Sequence, residues 1–195
     1  MTAGPRIARL LARLAGRARD DAGMAAVEFS LILPILVLLW IGGVEVTQAL
    51  SVDRRLNNLA SALGDLAARS KIVTYDDVAA IFTIAPGAMF PYSSTGIQMR
   101  ITAVDMNGAG TATVAWSRAS GTTPYAANAP MNSLVPATLR VADTQVIMAE
   151  VFHGYTPAVG YVITGTLSLD DRMYFVPRLV TKVQLCDNNK QNCVS

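Results

Sequence analysis

The chain has 195 residues, 52% of them apolar and 15% charged, which excludes a disordered or collagen-like polymer and allows one modest domain plus one extra element. Its formal charge of +2 is uneven: residues 1–23 hold five of the 16 basic side chains (Arg6, Arg9, Arg13, Arg17, Arg19) and two of the 14 acidic ones (Asp20, Asp21), which leaves 11 basic against 12 acidic elsewhere. Basic charge set beside a greasy run, and not spread across a folded face, argues against a nucleic-acid partner.

From Ala22 to Val44 run 23 residues in which Glu28 is the single charge. At about 1.5 Å per residue they span a hydrocarbon core of roughly 30 Å with some tilt. A secretory signal peptide has the same basic-then-apolar order, but its apolar region is usually about 7–15 residues and ends at a small-x-small cleavage site. Here Trp40 to Val44 continue into Glu45 without such a site, so a retained membrane helix is expected. The arginines flank its N-terminal end, which predicts a cytoplasmic N-terminus and an exported remainder.

Beyond the apolar run the period changes. Ala49, Val52, Leu56, Leu59, Leu63 and Leu66 follow a heptad seam, with Asp53, Arg54, Asn57, Asn58, Ser61 and Asp65 on the other face. The seam needs a partner surface, either the chain's own C-terminal domain or other subunits, and the two are compatible. Helix from about Met24 to Arg69 makes a rod of roughly 70 Å. Pro34 inside it is expected to kink or loosen one turn.

After Lys71 the pattern is that of a small α+β domain. Thr74 with Asp77 predicts a capping pair for a short helix through about Phe82, and residues 85–96 read as loop. Ile97 to Asp105 and Thr111 to Ser117 alternate apolar and polar residues around Met106-Asn107-Gly108-Ala109-Gly110, a hairpin. Residues 118–137 read as a long exposed loop. Gln145 to Tyr155 reads as a strand buried on both faces and therefore central. Met173 to Val176 is a shorter strand stopped by Pro177, and Leu179 to Leu185 is a candidate edge strand.

Little in the chain supports catalysis. His153 is the single imidazole, so neither a His-based triad nor a multi-His metal site can be assembled within one chain, and a structural or surface role is expected. Residues 108–113 (GAGTAT) hold half of a phosphate-loop pattern, but they sit in a hairpin turn with no helix after it. The adjacent pairs Asp76/Asp77 and Asp170/Asp171 read as solvated turns. Cys186 and Cys193 close a C-x₆-C around a wholly polar loop; two thiols make a poor zinc site, and in an exported domain a disulfide is favoured. No metal or cofactor is expected.

The informative constellation is Gly23-Met24-Ala25-Ala26-Val27-Glu28-Phe29. Burying Glu28 unpaired would cost a few kcal/mol, so it needs a partner or a route to water by snorkelling at the membrane end. Cleavage after Gly23 would free the α-amino group of Met24, mostly cationic at neutral pH, and a neighbouring subunit could present that amine to Glu28.

With Gly23, Glu28, Phe29, Pro34 and a second acid at Glu45, this N-terminal stretch resembles the TadE/TadG-like proteins of the tight adherence (Flp) pilus system over roughly residues 20–70. The resemblance implies an inner-membrane minor pilin or pseudopilin, cut after Gly23 by a prepilin peptidase. The chain lacks room for the von Willebrand-type domain of larger TadG-type members, which favours the TadE type. The expected organisation is a basic cytoplasmic leader (1–23), a membrane and periplasmic helix (24–70) and a periplasmic α+β domain (71–195), the long helix packing on a small antiparallel sheet in a pilin-like fold. Expected partners are other pilin subunits, the peptidase, the inner-membrane assembly platform and the lipid bilayer. The alternative is a membrane-tethered periplasmic ligand-binding or enzymatic domain that uses the helix only as an anchor.

Overall fold

The computed structural model describes residues 5–157 and 160–195, with side-chain surroundings given from Gly23 onward outside residues 158–159. The leader arginines' side chains therefore lie outside the described residues. The first helix, α1, runs Pro5–Ala68. It begins well before the expected Met24 because Pro5 presets the first turn and the residues after it are mostly Ala, Leu and Arg, all strong helix formers. Helix continues through Pro34 and stops one residue short of Arg69. The chain divides into two units: α1 up to Thr47 with the segment ending at Thr164, and Gln48–Pro157 with Gly165–Ser195.

In the second unit, β1 (Ile72–Thr74) leads directly into α2 (Tyr75–Ile84). The predicted capping box is present: the Asp77 N–H donates to Thr74 Oγ1, and the Thr74 N–H donates to the Asp77 carboxylate. Two helix-start donors are satisfied by one short motif, worth about 1 kcal/mol. The expected loop at 85–96 opens with a 3₁₀ turn at Ala85–Met89.

The predicted hairpin forms from β2 (Gln98–Met106) and β3 (Ala112–Ser120), with a bulge at Ala103/Val104. With β4 (Gln145–Tyr155) and β5 (Leu167–Phe175) it makes an antiparallel sheet in the order β3-β2-β4-β5. β4 is central and buried on both faces, as its largely apolar sequence predicts. Met99, Ile101, Ala103, Ile147, Ala149 and Val151 meet Val52, Leu56, Leu59 and Leu63 of α1 in one core. Val104, Met106, Val146 and Met148 face a second core on the opposite side.

Three expectations are corrected. β5 begins at Leu167 instead of Met173, because it pairs with β4 from Ile147 to Tyr155; Asp170 and Asp171 therefore stand in an edge strand, not a turn. Leu179 to Leu185 does not edge this sheet. Its end instead forms β6 (Gln184–Cys186), the middle strand between β1, parallel to it, and the antiparallel β7 (Cys193–Val194). The 118–137 segment is not wholly exposed either. β3 takes its first residues, while Met131 and Val135 are buried in the second core, covering a sheet face that would otherwise expose Val104 and Met148 to water.

Candidate functional site

Gly23, Met24, Glu28, Phe29 and Pro34 all lie exposed on α1. A Cβ added at Gly23 would meet nothing within 4 Å among the described residues, so packing against them gives no reason for glycine there. Among the described residues, Glu28 makes no ion pair or side-chain hydrogen bond. The apolar side chains from Val27 to Trp40 are exposed around it. An uncovered apolar surface of this extent is stable only against lipid or protein.

The end of the apolar run carries an arrangement that local patterns conceal. Glu45, only 1% exposed, receives three backbone donors: the Tyr161 N–H reaches Oε1 at 2.9 Å, and the Val162 and Ile163 N–H groups reach Oε2 at 3.1 and 2.8 Å. Gly42, one turn before Glu45, gives the same segment room: a Cβ there would stand 3.2 Å from Val162 Cγ2. In the sequence Glu45 stands as a second acid whose partners lie far along the chain. The signals were an acid directly after Gly42-Gly43-Val44 and an apolar stretch, Tyr161-Val162-Ile163, bracketed by Gly160 and Gly165.

Along the seam, Val52, Leu56, Leu59 and Leu63 are buried against the chain's own sheet. Leu66 remains 51% exposed and borders an apolar groove of about 480 Å³ with Leu59, Leu63, Ile81 and Ile84. The seam thus packs internally along most of its length and leaves an open apolar surface at its end.

These features fall in the segment that comparison with known families singles out. Residues 23–64 match the family model described as TadE-like protein. They form a TadE-like segment. The match covers Gly23, Glu28, Pro34, Glu45 and the seam as far as Leu63. The helix that contains it is long and apolar enough to cross a membrane. No curated protein and no solved structure matches the chain.

Outside the TadE-like segment several polar groups tie the fold together. Strand register places Arg100, Glu150 and Arg172 in one row across β2, β4 and β5. Arg172 forms two bonds to Glu150 Oε1, at 2.8 and 2.7 Å. Arg100 Nε stands 3.3 Å from Oε2 but out of line for a hydrogen bond, so that contact is Coulombic. The Arg100 guanidinium stacks 4.0 Å over the Tyr125 ring, fastening the 121–140 segment to the sheet; burial, then the Glu150 carboxylate, push the Tyr125 phenol upward in pKa.

Buried Gln145 donates to Asp105 and accepts the Val183 N–H at 2.7 Å, while Trp116 Nε1 donates to the Val183 carbonyl at 2.8 Å. Those bonds tie the chain entering β6 to the main sheet. Cys186 and Cys193 form the expected disulfide, and Asn188 inside its loop accepts the Asp76 N–H at the start of α2. His153 is a buried histidine of β4 beside Ser93, Thr95 and Thr156, and burial lowers its pKa. Among the described residues, no three of His, Cys, Asp and Glu gather closely enough to hold a metal ion.

Proposed function

We propose that the chain is a minor pilin or pseudopilin of a Tad pilus, acting in assembly as a structural or priming subunit. Residues 1–23 form a cytoplasmic leader, residues 24–70 carry the membrane span and its periplasmic continuation, and residues 71–195 form the periplasmic domain. A prepilin peptidase cuts between Gly23 and Met24, and Glu28 then accepts the Met24 amine of a neighbouring subunit. The observation that carries this reading is that the TadE-like match falls on an uncovered apolar helix in which Glu28 is the single charge of the membrane run. An unpaired carboxylate costs a few kcal/mol in the membrane, and a neighbour's cationic amine offsets that cost. The open groove beside Leu66 supports packing against further subunits.

Intact mass of the membrane-extracted protein, from cells with and without the peptidase, tests the processing step. Wild-type chain should lose residues 1–23 only where the peptidase is active. Gly23→Leu should keep the leader and block assembly, whereas Glu28→Ala should be cut but enter pili poorly. Retention of Met1 to Gly23 beside an active peptidase would refute processing. Normal pilus output from cleaved Glu28→Ala would refute the pairing alone.

A further inference from the structure

The segment at 160–164 has three properties that belong together. Its backbone N–H groups at Tyr161, Val162 and Ile163 converge on one buried carboxylate of α1. Its tip is apolar and uncovered, with Tyr161 72% and Val162 52% exposed. It also touches the helix at Gly42, inside the apolar run, so that Val162 borders a groove of about 680 Å³ with Ile35, Leu38, Leu39 and Val46.

We propose that this segment is a second membrane contact: Tyr161 and Val162 seat in the headgroup and acyl boundary of the leaflet at the Val44 end of the span, with Glu45 as the clasp. The inference rests on the reading of residues 22–44 as a membrane span.

The physical argument concerns the backbone. Irregular chain enters the edge of a bilayer only when its polar groups are satisfied from within, because each unpaired N–H costs free energy once water is withdrawn. Glu45 satisfies three consecutive donors with one carboxylate, and those donors in turn hold a charge that would otherwise be costly at that depth. What the segment then presents outward is a tyrosine, a residue suited to the membrane–water interface, and a valine continuous with the lipid-facing surface of the helix. Lipid is favoured over a protein partner because this apolar surface is an extension of the span itself.

The test uses the full chain at one copy per nanodisc of phosphatidylcholine and phosphatidylglycerol, which removes contacts between copies. The native cysteines are paired, so Tyr161→Cys and, separately, Leu36→Cys each offer one thiol for a nitroxide. Power saturation against oxygen, which concentrates in lipid, and an aqueous nickel chelate reports depth. Both labels should collide more with oxygen than with nickel, and adding Glu45→Ala should lower the oxygen-to-nickel ratio at 161 severalfold while leaving 36 unchanged. An aqueous label at 161 with a lipid-exposed label at 36 would overturn the membrane contact and leave the span intact. An aqueous label at 36 would overturn the span as well. No response at 161 to Glu45→Ala would overturn the clasp, and Val162→Cys repeats the measurement should Tyr161→Cys misfold.

Discussion

At Gly64 α1 packs directly on the sheet, and Gly64→Ala sets two effects of opposite sign against each other. In a helix interior the change should stabilise by about 1 kcal/mol through propensity. Here the new Cβ would stand 2.3 and 2.5 Å from Cδ2 and Cε2 of Phe175 and 3.3 Å from the Ala149 Cβ. Carbon atoms pack at about 3.5–4.0 Å, so the ring must recede by more than 1 Å or leave its site. Overpacking of this kind costs about 1–3 kcal/mol, and the double overlap with the ring, together with the close Ala149 Cβ, puts the cost in the upper part of that range. The net expectation is a destabilisation of about 1–2 kcal/mol, a fall in Tm of roughly 2–8 °C for a unit of this size. Thermal unfolding of the full chain in detergent, scanned at one rate, measures it. In a Phe175→Ala background the clash is gone and Gly64→Ala should raise Tm instead. An equal rise in both backgrounds would refute the steric account and leave propensity alone.

Glu150→Ala leaves Arg100 and Arg172 facing each other without their shared carboxylate; it should cost about 3 kcal/mol and open the Tyr125 segment to limited proteolysis, and an unchanged Tm would count against the row as a structural pin. Burial holds His153 below its usual pKa, so the unfolded chain binds this proton first as pH falls. Its contribution is full above about pH 6.5 and declines below that value as pH drops toward the folded pKa, and denaturant unfolding of His153→Gln should show a shallower acid slope than wild type. The thiols of Cys186 and Cys193 should resist alkylation until reductant is added, and the double Cys→Ser variant should lose on the order of 2–3 kcal/mol, since the closed loop is short. Alkylation of quenched, unreduced material would refute the disulfide.

Features that depend on a few neighbouring residues were legible in the sequence. The apolar run from Ala22 to Val44, the Thr74–Asp77 box, the hairpin around Asn107-Gly108 and the doubly buried strand at 145–155 each announce themselves by composition or period within a short window. In each case the signal is local, whether a cap at a helix end, a turn residue or a run of apolar side chains. α1 starts well before the membrane run, because the Ala-, Leu- and Arg-rich leader has helix propensity of its own that the apolar run does not signal. β5 is longer than its apolar pattern signals, because Asp170 and Asp171 interrupt that pattern at an edge, where a strand tolerates them.

By itself the sequence determined the greasy helix with its lone Glu28, the seam that follows it, and an α+β domain with a strand needing cover on both faces. Only tertiary structure decided what the distant groups meet. Glu45 finds its three donors more than a hundred residues later; β1 pairs in parallel with β6; Glu150 gathers one arginine from each neighbouring strand; and Gly64 gives way to Phe175. These partners are chosen by which surfaces the packed sheet brings together after long loops have closed. No short window encodes that choice, because either partner taken alone is an ordinary acid, strand or glycine.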